Sequence, residues 1–251
     1  MDGHQGRVVV ITGAASGMGA ATAALFAVGG ARVVIVDRDG DGASRVAARL
    51  NGPEPLVGDI TDSAFCEHAI TTISDRHGRV DVLVNAAGTI LRADALATSD
   101  ADWHQLMRVN VDGTFFMCRA VIRPMRTRGG GAIVNFGSIW GGVGGAGHVA
   151  YCASKGAVHN LTRALALDHA RDGIRINAVC PGEVDTPMLR SGGRSQPLTD
   201  DDLRRIAHDG VPTGRVAEPD EIARVVVFLA SDQASYMTGA LVAVDGGYTA
   251  R

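Results

Sequence analysis

"RVVVITGAASGMGAATAALFAVGGARVVIVD", residues 7–37, decides the fold. Its two β-branched runs, 7–12 and 32–37, read as buried strands. Between them, small residues from Gly17 to about Val28 read as a helix that stops at Gly29-Gly30. A strand, a glycine-rich turn, a helix and a strand make one unit of a parallel sheet.

The alternation continues along the chain. A helix runs through Arg45 and Leu50, and a weak strand lies at Leu56-Val57. A helix from about Asp62 to His77 leads to the strand "VDVLVN" (80–85). A long helical region, about Asp102 to Met125, precedes the strand "AIVNFG" (132–137). A helix over 149–170, the strand "IRINAV" (174–179), a helix over 218–230 and a last strand in "ALVAVDGG" complete the series. Short connections between such elements imply an α/β protein, a doubly wound parallel sheet covered by helices on both faces. No composition break divides the chain, so a single domain over 1–251 is expected. The segment from about 188 to 214, rich in Gly, Ser, Asp and Arg, interrupts the pattern and reads as a lid over a binding site.

Composition narrows the function. The 251 residues are 46% hydrophobic and 20% charged, which suits a sizeable core. A net charge of -3 gives no electrostatic reason to expect nucleic acid or anionic membrane as a partner. Four dispersed cysteines without a C-x-x-C pair read as reduced, buried thiols, and no metal site is expected. The start "MDGHQGR" lacks the segments of a signal peptide, and no run approaches the ~18 apolar residues of a membrane span. A soluble, cytoplasmic protein is expected.

"TGAASGMG" (12–19) closes the first strand and opens the first helix. Glycines there let the backbone approach a pyrophosphate, whose charge sits at the helix N-terminus. The spacing is G-x-x-x-G-x-G, and by itself the motif also suits a tight turn without a ligand. Asp37 ends the second strand, where a carboxylate can bind both hydroxyls of an adenosine ribose and would repel a 2′-phosphate. The glycine loop offers Ala14, Ala15 and Ser16 and no basic residue, so NAD(H) is favoured over NADP(H). Arg38 could accommodate a 2′-phosphate, and reads first as a solvated surface charge.

Tyr151 and Lys155 are four apart on a helix and share a face. Lowering a phenol's pKa by ~3 units takes about 4 kcal/mol, which a nearby ammonium and a nicotinamide cation could supply together. Tyr151 could then exchange a proton with an alcohol. Lys155 is the chain's only lysine among 24 lysines and arginines, as if a compact point charge were needed where a planar fork would not fit. Ser138 lies just past a strand end, where open α/β sheets place their ligands.

With T-G-x-x-x-G-x-G, an acid closing the second strand, "GDI", "NAAG", Asn110, Ser138, Y-x-x-x-K, "PG" and a following threonine, the chain resembles the short-chain dehydrogenase/reductase family. The resemblance extends through "GRVAEPDEIARVVVFLAS" and "TGALVAVDGG". It implies a Rossmann-type parallel sheet of about seven strands. A cofactor half would span about 1–135 and a catalytic half about 136–251, and the assembly would be a homotetramer or, failing that, a homodimer. Gly13, Ser16, Gly17, Met18 and Gly19 would line the pyrophosphate, Asp37 the ribose, with Arg38 beside it, and Asp59 and Ile60 the adenine. Asn85 and Gly88 would support the cofactor and the central sheet, with Ala86 beside them at the cofactor. Tyr151 would be the general acid/base. Lys155 would bind the nicotinamide ribose and lower the tyrosine pKa. Ser138 would orient the substrate oxygen, and Asn110 would hold a relay water. Pro181, Gly182, Val184 and Thr186 would flank the nicotinamide. Two departures stand out: the usual N-N-A-G is Asn85-Ala86-Ala87-Gly88, and the usual serine pair ending the fifth strand is Gly137-Ser138.

The expected reaction interconverts a secondary alcohol and a ketone. Trp140, His148 and Glu183 should face the substrate, the first as an apolar wall and the others as partners for hydroxyls, which favours a cyclic or polyhydroxylated molecule. Arg190 and Arg194 in the lid could receive an anionic group, and also read as surface charge. The glycine run "GGVGGAG" (141–147) reads as an open pocket wall. The alternatives are an NADPH-dependent ketone or 3-oxoacyl reductase, and a non-catalytic nucleotide-binding redox sensor.

Overall fold

The computed structural model describes residues 3–50 and 55–250. The ends of the expected 1–251 domain and residues 51–54 lie outside the described residues. In chain order the elements are β1 (Val8–Thr12), α1 (Gly17–Val28), β2 (Arg32–Asp37), α2 (Gly40–Arg49), β3 (Leu56–Val57) and α3 (Ser63–His77). Then come β4 (Val82–Asn85), α4 (Asp100–Met107), α5 (Gly113–Thr127), β5 (Gly131–Phe136) and α6 (Val149–His169). The chain continues with β6 (Ile174–Pro181), α7 (Pro187–Arg190), α8 (Asp200–Gly210), α9 (Pro219–Ala230) and β7 (Leu241–Val244).

The seven strands form one sheet in the order β3-β2-β1-β4-β5-β6-β7, with every pairing parallel. Side chains alternate across it. Val9 and Ile11 of β1 join Ala23 and Phe26 of α1 and Ile222 and Val226 of α9 on one face. Val8 and Val10 join Ile73 of α3 and Met117 and Val121 of α5 on the other. Burial on both faces is why these strands read as unbroken apolar runs. Strand order reverses between β1 and β4, so a crevice opens beyond their C-terminal ends, where such sheets bind ligands.

Two expectations are refined. The helical region after β4 is unbroken but changes pitch. It starts at Asp100, capped by the Ser99 side chain, and a wider π turn covers Arg108–Asp112. That turn carries Asn110, whose side chain is drawn inward to the backbone of Thr89. The segment 188–214 is more regular than its composition suggests: it contains the end of α7 and all of α8. The acidic residues that made it read as a loop are the first turn of α8, where Thr199 and Asp202 form a capping box. Among the described residues, no helix is long and apolar enough to cross a membrane.

Candidate active site

The crevice at the β1–β4 switch is a cleft of about 260 Å³. Its phosphate-facing side is the loop from β1 into α1. Gly13 and Gly17 hold φ of 68° and 53°, conformations that L side chains rarely adopt. A Cβ on Gly13 would lie 2.5 Å from the Ala87 backbone, and one on Gly19 would run into the Gly13 carbonyl. Backbone therefore packs on backbone here, and the helix N-terminus stays open to a ligand. Ser16, Gly17 and Met18 line this side, and Ala86 and Gly88 the middle. Asp37, Arg38, Asp59 and Ile60 line the far end. The Asp37 carboxylate accepts from the Ala15 N–H (2.9 Å) and the Asp39 N–H (3.0 Å), which fixes it at the cleft edge. These residues fit an extended dinucleotide.

Asn85 does not line this cleft. It is 3% exposed and its amide donates to Asn135 Oδ1 (2.9 Å) and Cys118 Sγ (3.2 Å). As the last residue of β4, aligned with Thr12 and Asn135, it points into the packing beneath the strand ends. Its place is in the sheet, behind the cofactor surface.

A second pocket of about 80 Å³ adjoins the cleft, and Met18, Thr186 and Met188 border both. Ser138 and Tyr151 both line it, and the Ser138 side chain draws the Tyr151 pKa down, while Ser138 Oγ accepts from the Trp140 N–H (3.2 Å). Pro181, Gly182 and Val184 form another side. Lys155, one turn beyond Tyr151 on α6, is buried and donates to the Phe136 carbonyl (2.8 Å). Its Nζ is 5.7 Å from the centre of the Tyr151 ring and 3.7 Å from where a Gly88 Cβ would sit, so it reaches the cleft floor from beneath. Asn110 is buried, bonded through Oδ1 to the Thr89 N–H (2.8 Å) and through Nδ2 to the Thr89 carbonyl (2.9 Å) and Ser154 Oγ (3.0 Å). Its amide thereby fixes the Thr89 backbone, which lines the cleft.

Burial sets the electrostatics of the site's own groups. Burial pushes the Tyr151 phenol up to about 12, with the Ser138 hydrogen bond pulling back and Glu183 pushing further up. Burial also brings Lys155 down to about 8. Among the protein's own groups, desolvation thus dominates, and Lys155 spends a hydrogen bond on Phe136.

Trp140 and Glu183 line the second pocket as expected. His148 stands behind it. Its ring meets the Trp140 ring at 4.3 Å, and its Nε2 is 2.9 Å from an Arg92 guanidinium nitrogen. Burial lowers the His148 pKa, and Nδ1 lies 2.7 Å from the Ala146 carbonyl. The neutral ring therefore carries its proton on Nδ1 and accepts from Arg92 through Nε2. Arg92 also donates to the Gly192 carbonyl (2.9 Å), tying the segment after α7 to the pocket rim. Burial raises the Glu183 carboxyl, while Arg92 and Arg194 draw it down. Arg194 donates to the Leu189 carbonyl (3.1 Å). Arg190 is not available to an anionic substrate: it is bidentate to Asp185 (2.5 and 2.7 Å) and also pairs with Asp200 (2.9 Å).

The run 141–147 borders neither pocket, which overturns its reading as an open wall. A Cβ on Gly141 would lie 2.6 Å from the His159 ring, and one on Gly145 would lie 2.9 Å from the Trp140 indole. Sequence reasoning missed Arg92 and Ile90. Both follow directly on "NAAG" past the end of β4, a strand-end position that could have marked them.

Comparisons with known proteins agree with this arrangement. A family model described as "Enoyl-(Acyl carrier protein) reductase" matches residues 13–249. The chain is 45% identical to galactitol 2-dehydrogenase (L-tagatose-forming) of Cereibacter sphaeroides, over 97% of this chain and 95% of that one. It is 44% identical to meso-2,3-butanediol dehydrogenase of Serratia marcescens, with the same two coverages. The crystal structure of gox2181 superposes with a TM-score of 0.91 at 38% identity, covering 98% of this chain and 97% of that one. Fold, site and relatives together show that the chain belongs to the short-chain dehydrogenase/reductase family, whose dehydrogenases use nicotinamide cofactors.

Proposed function

We infer that the protein interconverts a secondary alcohol and a ketone on a small polyhydroxylated molecule, with NAD(H) as the cofactor. The observation that carries this reading is the Ser138–Tyr151 pair, set in a small pocket that opens into a dinucleotide-sized cleft. When bound, the nicotinamide supplies the hydride acceptor or donor. Tyr151 takes the alcohol proton in oxidation and returns it in reduction. Ser138 holds the substrate oxygen beside it. Lys155, a buried cation under the same floor, favours the phenolate as positive charge gathers there. Asn110 positions the Thr89 backbone, which lines the cleft.

Asp37 supports NAD(H). Two backbone N–H groups orient its carboxylate at the cleft edge, where a 2′-phosphate would meet a negative charge. Glu183 and Arg92 support a hydroxylated substrate. They place an acceptor and donors in a pocket otherwise walled by groups such as Ile90, Trp140, Val184 and Leu189. The names of the relatives, a galactitol and a butanediol dehydrogenase, agree. The rival is an NADPH-dependent 3-oxoacyl reductase, to which the acyl-carrier wording of the family description points. Titration with the four nicotinamide cofactors separates them: NADPH binding more tightly than NADH would sink the assignment. We further propose that copies associate through α6, whose Leu167 is 83% exposed; a monomer in light scattering would contradict that.

A further inference from the structure

Tyr151, Lys155 and His159 occupy successive turns along one face of α6. The first two belong to the site already described. His159 is also buried, 5% exposed, and lies directly under Ser138. Its Nε2 is 3.4 Å from the Ser138 backbone nitrogen, which donates to it, and 3.3 Å from Cys180 Sγ. An Nε2 that accepts a backbone N–H cannot carry a proton, so the ring is neutral and protonated on Nδ1. Burial, Lys155 one turn before and Arg163 one turn after all favour that neutral form.

The chain makes room for this ring at two places. A Cβ on Gly137 would lie 2.5 Å from His159 Nε2, and one on Gly141 would lie 2.6 Å from its Cε1. The Gly137-Ser138 departure noted in the sequence thus has a physical cause: the imidazole occupies the space a side chain at 137 would take. The end of β5 is consequently gripped twice by α6. Lys155 holds the Phe136 carbonyl (2.8 Å), and His159 holds the Ser138 N–H. Ser138 is extended, with φ −168° and ψ 156°, so rotation of the peptide before it would swing its hydroxyl away from Tyr151.

We propose that His159 is a positioning residue, whose imidazole fixes the Ser138 backbone and so aims the Ser138 hydroxyl at Tyr151 and the substrate oxygen. The proposal rests on the reading that Ser138 holds that oxygen. A group displaced by even ~1 Å can cost orders of magnitude in rate while binding is kept. The test compares His159→Leu, His159→Gln and His159→Asn with Ser138→Ala, using steady-state kinetics on one polyol and NADH affinity by fluorescence as the check of folding.

His159→Leu should lower kcat at least ~10-fold with KM within about twofold. Glutamine can place an acceptor near the Nε2 position and should recover kcat to within about threefold of wild type. Asparagine is too short to do so and should behave like leucine. Should the leucine variant fail to fold, the glutamine–asparagine contrast decides by itself. Wild-type kcat in the asparagine variant, or equal losses for glutamine and asparagine, would overturn the proposal. If Ser138→Ala keeps full kcat, the reading of the site has failed. If Ser138→Ala is impaired while the His159 variants are not, only this inference has.

Discussion

The two glycine-rich segments, 13–19 after β1 and 141–147 beyond β5, use a missing side chain for opposite ends. In the first, Cβ atoms would strike backbone, at Ala87 and at the Gly13 carbonyl, and the space kept clear is a cleft. In the second, a Cβ on Gly141 would strike the His159 ring and the Lys155 carbonyl, and one on Gly145 the Trp140 indole, so at those two positions the space is filled by the protein itself. Glycine content marks where the chain must come close to something. What it approaches is decided by residues elsewhere in the fold.

That contrast can be broken in order of expected effect. Gly13→Ala should be the most damaging, because its φ of 68° is strained for alanine and the Ala87 backbone cannot move aside. A loss of NADH affinity of at least ~100-fold is expected, read by fluorescence titration. Beneath the second segment, Lys155→Met should abolish turnover yet stabilise the fold. Its ammonium is held at about 8 against an ordinary 10.5, so the native state resists protonation. The resulting penalty is complete below pH 8 and fades as pH rises towards 10.5. Replacement should therefore gain about 2 kcal/mol at neutral pH, after the Phe136 carbonyl loses its donor, and nothing near pH 11. Urea melts across that range check the sign.

Smaller effects should follow at the filled segment. Gly145→Ala would press the Trp140 indole toward the pocket and should raise KM for the alcohol about threefold with cofactor affinity unchanged. Gly144→Ala meets no atom within 4 Å and should leave both constants unaltered. If Gly144→Ala proved as harmful as Gly13→Ala, the two segments would not differ in the way described.

Much of this architecture was legible in the sequence. Each strand of the sheet was foreshadowed by a β-branched or apolar run, because burial on both faces leaves little choice of residue. Gly13–Gly19, Asp37, Ser138, Tyr151 and Lys155 were legible because local spacing places them: a turn, a strand end, one helix face. Long-range features were hidden. Arg92 reaches the pocket through contacts with His148 and Gly192, and His159 reaches Ser138 only after α6 docks on β5 and β6. Asn85 reads as serving both cofactor and sheet, because a strand-end residue can face either, and its bond to Asn135 shows the sheet side. Arg190 could be read as an anion receptor or as surface charge, and its pairing with Asp185 and Asp200 removes the first reading.

The most direct test of the account follows nicotinamide absorbance while small polyols, vicinal diols and simple secondary alcohols are offered with NAD+ and with NADP+, to wild type and to Tyr151→Phe. The account expects a polyol or diol to be oxidised best, NAD+ to be preferred, and the phenylalanine variant to lose at least ~1,000-fold in kcat. Oxidation of none of these alcohols, or turnover undiminished in Tyr151→Phe, would contradict it.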